Sequence, residues 1–361
     1  MKNIINYLIL LGIAVVSCTP PEVGYISDNI QSSVDTLIAP KGLFTVGVIP
    51  ISDGSTYPLH WEITGITDEN GNLTDELNKE REILVWTSAF NGETDTTFAQ
   101  VEEKLKLENH PPILINDVSG ELAVTQASKF VDGDIFNISV NASNVKGSKQ
   151  LDNFVSLKLT PFIPVQFEGL MVSRVELLRA NGRSVNLFQD RIDGQSDDAV
   201  PSILDGSHQY FTITKVSDEP SLGVQTRMVI TDSYDNPIDP SKVVFAPRGA
   251  DFFQNYHDNS VDTKTDDEAT IFSLPAPPFP QYSRTFGGDR SYQMYYITTP
   301  DTFVFDKEAY ERDHEAIDWA PFTDSDTGEI RNRGYMRWAV KINDTGTWEL
   351  RMRIPYTKKK E

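Results

Sequence analysis

The chain has 361 residues, with 53 acidic against 32 basic side chains and a formal net charge of −21, which argues against nucleic acid as a partner because its phosphates would be repelled at long range. A single cysteine, Cys18, excludes a disulfide framework and a multi-thiolate zinc site. At 39% hydrophobic and 10% aromatic residues there is enough apolar material for two cores, the expectation at this length.

The N-terminus reads "MKNIINYLILLGIAVVSC": one positive charge at Lys2, an apolar run from Ile4 to Val16 interrupted by Asn6, then the small Ser17 before Cys18. The run is too short to span a bilayer and no stop-transfer charges follow, so residues 1–17 are expected to be a secretory signal peptide. Val15-Val16-Ser17-Cys18 resembles a bacterial lipobox, with Val where Leu is usual, which implies cleavage before Cys18 and acylation (palmitate) of Cys18. Acyl chains would anchor the mature chain without spanning the membrane, each buried methylene contributing about 0.8 kcal/mol. Residues 18–38, rich in proline and polar residues at their start, read as the lipidated cysteine and a tether.

From about residue 40 the pattern is strands and turns. "PLHWEIT" sets Leu59, Trp61 and Ile63 against His60, Glu62 and Thr64, a period of two. "FNISVNAS" repeats it with Phe136, Ile138, Val140 and Ala142, and "FVSLKLT" with Val155, Leu157 and Leu159. A turn, an alternating strand, a glycine turn and a closing strand resemble the end of an immunoglobulin-like or cadherin-like sandwich, expected over 39–163. The second region, 164–361, opens on "GLMVSRVELLRANGRSVNLF", where Asn181-Gly182 predicts a type I′ hairpin, and a further hairpin is expected around "DSYDNPID". In the closing "YMRWAVKINDTGTWELRMRIP", Met336, Trp338, Val340 and Ile342 share one face and Trp348, Leu350, Met352 and Ile354 another, predicting two antiparallel strands across the turn "NDTG". Only "DELNKERE" and "DKEAYERDHEAIDW" look helical, the second as one surface turn or two. The fold class is therefore all-β: two β-sandwich domains in series, the first immunoglobulin-like, after a lipoprotein signal peptide.

The lipobox followed by "GYISDNI", the "DGSTYPL" segment, the "SGELAV…NISVNASNVKGS" block and the ending "GTWELRMRIP" together resemble a family of Bacteroidota lipoproteins of unknown function. The resemblance covers most of the chain and carries no active-site motif. It implies an outer-membrane lipoprotein, associated with starch-utilisation-type loci, that captures glycan at the cell surface. Only Glu22 follows the cysteine closely in "CTPPEVG", fewer acidic residues than exported members often carry, so the cell-surface and periplasmic faces both stay open.

Enzyme motifs are absent: there is no G-x-S-x-G, H-E-x-x-H, G-x-G-x-x-G or phosphate-binding loop. The five histidines, His60, His110, His208, His257 and His314, are dispersed and read as ordinary surface residues. A carboxylate-pair glycosidase leaves no sequence motif and stays as a minor alternative. "DSDTGE" places Asp324, Asp326 and Glu329 around Gly328 as candidate Ca²⁺ ligands, although Asp-Thr-Gly is also turn chemistry by itself. Aromatic residues carry the glycan hypothesis, because sugar C–H faces stack on rings. Alternation assigns Trp61, Trp338 and Trp348 to the core and leaves Trp86, in "ILVWTSAF", open to either reading; Trp319, in the non-alternating "EAIDWAPFTDSD", is the indole expected at the surface. The candidate glycan site is Trp319 with Asp318, Tyr292 and Tyr295, weighed against rings that merely cap a sandwich end. The expected partners are the membrane, through the lipid, and an extracellular polysaccharide or an outer-membrane transporter. The alternative is an adhesion or assembly module binding a protein.

Overall fold

The computed structural model describes residues 24–91, 94–167, 169–245, 260–275 and 293–360. Cys18, the signal segment, Tyr256, Tyr282 and Tyr292 lie outside them, as does the side chain of Tyr295. Among the described residues no helix is long and apolar enough to cross a membrane.

The chain is all-β and divides into two compact units, Met1–Ile83 with Glu108–Ile163, and Leu84–Leu107 with Pro164–Glu361. The expected interval 39–163 is thus interrupted. Residues 84–107 group with the second unit, where a short helix, Phe98–Glu102, closed by a Thr97–Gln100 capping box, buries Val101 beside Leu105 and Val261. The expected tether, 18–38, is corrected from Ile30 onward. Gln31–Ser32 and Thr36–Pro40 are strands, and Ile30 and Leu37 are buried, so the first core claims residues read as a linker.

In the first unit Thr36–Pro40 runs parallel to Gly147–Thr160, which pairs antiparallel with Ile135–Asn144, and that strand with His60–Asp68. A second sheet of Thr45–Val46, Leu122–Val124 and Ile113–Ile115 packs on it. Phe136, Ile138, Val140 and Ala142 are all buried, as their period of two predicts, although the ladder slips beside Ser139. Trp61 joins them in this core.

The second unit is a larger sandwich. One sheet runs Ser184–Asp193, Leu170–Leu178, Asn332–Ile342, Gln293–Thr298, Val243–Phe245, with Val165–Phe167 pairing the far end of Asn332–Ile342. The other runs Phe211–Ser217, Gly346–Arg353, Gly223–Thr231, Ala269–Pro275, Asp262–Thr265. The closing segment is not a hairpin. Asn332–Ile342 and Gly346–Arg353 lie in opposite sheets, and the chain turns the corner over 343–345 into Gly346 at φ 102°, where a Cβ would stand 2.4 Å from the Ser217 carbonyl oxygen. Trp338 and Trp348 therefore both reach one core, from facing layers.

The Asn181-Gly182 turn joins Leu170–Leu178 to Ser184–Asp193 as expected, but only Gly182, at φ 77°, has a positive φ, so it is not type I′. Arg179 instead closes the loop from both sides: its amide donates to Arg183 and its carbonyl accepts from Gly182. "DSYDNPID" forms a tight turn closed by an isolated bridge between Thr231 and Pro237 and organised by the Asp232 carboxylate, with no paired strands beyond it. "DELNKERE" contributes a turn around buried Leu77 and no helix, whereas Lys307–Asp313 is helical over seven residues.

Candidate binding site

Two edge strands of the second unit, Ser184–Asp193 and Phe211–Ser217, lie on the same side of the sandwich, one in each sheet. Phe188, Asp190 and Ile192 alternate onto the inward face of the first, so Asp190 enters the gap between the sheets. Residues leading into the second strand supply His208 and Tyr210. His208 Nδ1 accepts the amides of Tyr210 and Phe211, each at 3.2 Å, which places the ring proton on Nε2, facing Asp190 Oδ2 at 3.7 Å. The Phe188 and Tyr210 rings meet across the same gap, with centroids 6.1 Å apart.

The helix Lys307–Asp313 adds a third wall. Asp306 caps it, its Oδ1 accepting the Ala309 amide at 3.2 Å, while Oδ2 takes the Tyr234 hydroxyl at 2.5 Å and Lys358 Nζ at 3.1 Å. That capping orients Tyr310 and Glu311 and delivers His314 at the helix end. His314 lies 5.4 Å from Phe188 and 4.7 Å from Tyr310, centroid to centroid. Its Nε2 is 2.9 Å from the Tyr356 hydroxyl, whose own proton points to Asp313 Oδ2, 3.4 Å away. Tyr356 packs edge-on against both Phe188, at 5.1 Å, and Tyr310, at 5.3 Å, from a backbone held at φ 54°, a conformation unusual for a bulky residue.

Trp319 continues the same band. Its ring stands 5.4 Å from Phe305 and edge-on to Tyr310 at 5.7 Å, and its Nε1 donates to Glu311 Oε1 at 2.7 Å. It is half-buried and packs on the core, so the expectation of an indole standing free is corrected: the neighbouring helix gives it partners. Asp318 accepts the Ala320 amide at 3.1 Å and acts in the local turn.

Burial pushes the Asp190 carboxyl above its ordinary range; His208 opposes this and Asp197 adds to it. Burial likewise pushes the Tyr210 hydroxyl up to about 12, with further contributions from Tyr356, Asp190 and Asp313. Tyr356 is raised by burial and by Asp313. Asp190 Oδ2 is shielded from solvent and has no hydrogen-bond partner. The site is thus a band of half-buried rings (Phe188, Tyr210, His314, Trp319, Tyr356) with carboxylates among them, able to stack an apolar face and accept hydrogen bonds from hydroxyls.

The proposed calcium ligands do not converge. Among the described residues no group of three or more His, Cys, Asp or Glu could hold a metal ion. Asp324 Oδ1 accepts the amides of Asp326 and Thr327, its Oδ2 pairs with Arg331 at 3.2 Å, and these contacts, the amides first, hold its pKa low. Asp326 is exposed and Glu329 pairs with Lys360 at 2.7 Å. Turn chemistry accounts for the "DSDTGE" pattern.

Sequence reasoning missed Asp190, His208, His314 and Tyr356. His208, set aside as a surface residue, has a side chain only 13% exposed. The one usable signal was the alternation Phe188, Asp190, Ile192, which marks Asp190 as inward.

No family model and no curated protein matches the chain. Solved structures that align with it include the protocadherin GammaB4 extracellular domain, at 7% identity and a TM-score of 0.18 over 74% of this chain. The protocadherin gammaB7 EC3-6 cis-dimer aligns at 9% identity and 0.18, over 90% of this chain and 74% of that one. The N-terminal four Ig domains of Dscam1 isoform 4.44 align at 8% identity and 0.17, over 91% and 74%. The chain spans less than half, 46%, of the length of the protocadherin GammaB4 chain. The all-β class rests on the two sandwiches themselves.

Proposed function

We propose that the protein is a lipid-anchored binding module of the outer membrane that captures glycan on the aromatic band of its second unit. The carrying observation is the run of ring contacts from Trp319 through Tyr310 and Tyr356 to Phe188 and Tyr210, with Asp190, Glu311 and Asp313 beside it. Rings of this kind supply stacking area at low entropic cost, and carboxylates orient hydroxyls. A polysaccharide array probed with soluble protein lacking residues 1–18, followed by calorimetry, tests the reading. A Tyr356→Ala protein that binds the array's ligand as tightly as the wild type removes the band as the site. The anchor has its own test: Cys18→Ala should abolish palmitate incorporation and release the protein from membranes.

A second reading, a module binding protein, is favoured by an outward apolar row on the small sheet of the first unit. Val46, Ala123 and Leu114 stand side by side across its three strands, with Val46 58% exposed and Phe44 exposed beyond it. Self-association that sediments as a dimer and disappears in Val46→Asp would support this reading; a monomer at high concentration would remove a second copy as the partner.

A further inference from the structure

The outward face of the six-stranded sheet has a composition opposite to that of the chain. By register, Arg191, Val172 and Arg337 lie in one row across three strands, and Gln189, Arg174 and Tyr335 in the next. Glu176 and Arg333 pair in the row after that, and Lys341 extends the same face. Among the described residues, four guanidinium groups and one ammonium thus face outward on these strands against two carboxylates, Glu176 and Asp193, in a protein whose net charge is −21. The grid is held in place. Glu176 Oε1 takes Arg174 Nη2 at 2.6 Å and Oε2 takes Arg333 Nε at 2.9 Å, so one carboxylate aligns two guanidinium planes. The Arg174 guanidinium lies 3.4 Å over the Tyr335 ring and covers it, while its Nε is buried with no hydrogen-bond partner. Arg191, on the edge strand, is exposed.

We propose that this face is a second binding site, for an anionic polysaccharide whose carboxylate or sulfate groups seat on Arg174, Arg191, Arg333 and Arg337. Guanidinium groups bind such anions bidentately, and those preorganised by Glu176 lose less freedom on doing so. Arg191 and Arg337 stand two strand spacings apart, about 10 Å, on a pleated face, which suits a chain lying across the strands. A peptide adding itself as a strand would need a sheet edge instead. The acidic remainder of the protein repels a polyanion at long range, but that field is screened beyond about 8 Å at physiological salt, leaving the local grid to decide binding.

The site is independent of the aromatic band, so the two can fail separately. The full-length chain in detergent micelles is titrated with polygalacturonate, heparin and neutral dextran. The expected result is binding of one or both polyanions and none of dextran. Arg191→Gln with Arg337→Gln should weaken the polyanion at least tenfold and make the log–log salt dependence shallower by roughly two, about one per lost contact. Arg191→Lys should retain most of the affinity, and Trp319→Ala should retain all of it. Melting temperatures of the variants check the fold. Absence of polyanion binding, or equal binding by the double variant, overturns the proposal. Displacement of the polysaccharide by polyglutamate at equal charge concentration also overturns it, assigning the face to an acidic protein.

Discussion

His208 and Asp190 pair across the open side of the second sandwich, Nε2 to Oδ2 at 3.7 Å, one belonging to each sheet's edge. The pair bridges the two layers, as the Ser173 hydroxyl also does by donating to the Arg353 carbonyl oxygen, and it sits beside the Phe188–Tyr210 contact. Because both His208 Nδ1 lone-pair contacts are backbone amides, the imidazole cannot turn away without losing them. Asp190 is the more costly partner: its Oδ2 is desolvated without a hydrogen bond.

Asp190 therefore sets a pH dependence with a definite sign. Its pKa is raised in the fold, so the stability it contributes is fully present below the unfolded value of about 3.9 and is lost as pH rises through the folded value. Asp190→Asn removes that loss. Urea melts from pH 4 to pH 8 should show the variant gaining on the wild type as pH rises, with the gap closing toward pH 4. A gap independent of pH would show that the carboxyl titrates alike in both states.

Asp306 has the opposite sign. Burial alone would raise it, but the Tyr234 hydroxyl, the Ala309 amide and Lys358 outweigh burial and lower its pKa. Its contribution is present above about pH 3.9 and lost as pH falls through the folded value. Asp306→Ala should cost about 1–2 kcal/mol through loss of the cap alone and loosen the helix carrying Tyr310. Denaturant melts at pH 7 measure the cost; hydrogen exchange over 307–313 should rise with it.

Trp319→Ala tests whether one residue serves both fold and ligand. The ring packs on Phe305 and Tyr310 while remaining half-buried, so its removal should lower stability by about 2 kcal/mol, less than a fully buried tryptophan would. Loss of glycan affinity by about 1–3 kcal/mol is expected alongside. Trp348→Ala, buried in the core, should cost about 3–5 kcal/mol. Equal thermal shifts for the two variants would place Trp319 wholly in the core.

Period-two alternation was enough to find the core of both units, because it reports only which side of a strand is dry. Phe136 to Ala142 and Met336 to Ile342 show this. It could not say which strands pair. The segment from Tyr335 to Ile354 has the same pattern whether its halves lie side by side or in facing sheets, and only the corner at Gly346 separates the cases. The candidate site was less legible still. Asp190, His208, His314 and Tyr356 come from four distant segments, and no local period links an inward carboxylate to a histidine on the other sheet. Trp319 was located by exclusion, yet the helix that covers it read only as a surface turn.

Tyr356 holds its ring in the band from a left-handed backbone, φ 54°, which costs a bulky L-residue roughly 1 kcal/mol or more. Glycine carries no such penalty. Tyr356→Ala and Tyr356→Gly both lose the contacts to Phe188, Tyr310 and His314, but only the glycine relieves the backbone. The glycine variant should therefore be the more stable of the two by about 1 kcal/mol, against the usual order of these residues. Both should lose glycan binding to the same extent, since the lost group is the ring. Tyr356→Phe should keep the stacking and lose only the His314 and Asp313 hydroxyl contacts, about 1 kcal/mol. If alanine proves as stable as glycine, the backbone at this position is unstrained and the ring's placement carries no stored cost. If phenylalanine binds glycan as weakly as alanine does, the hydroxyl and its histidine, rather than the aromatic face, recognise the ligand.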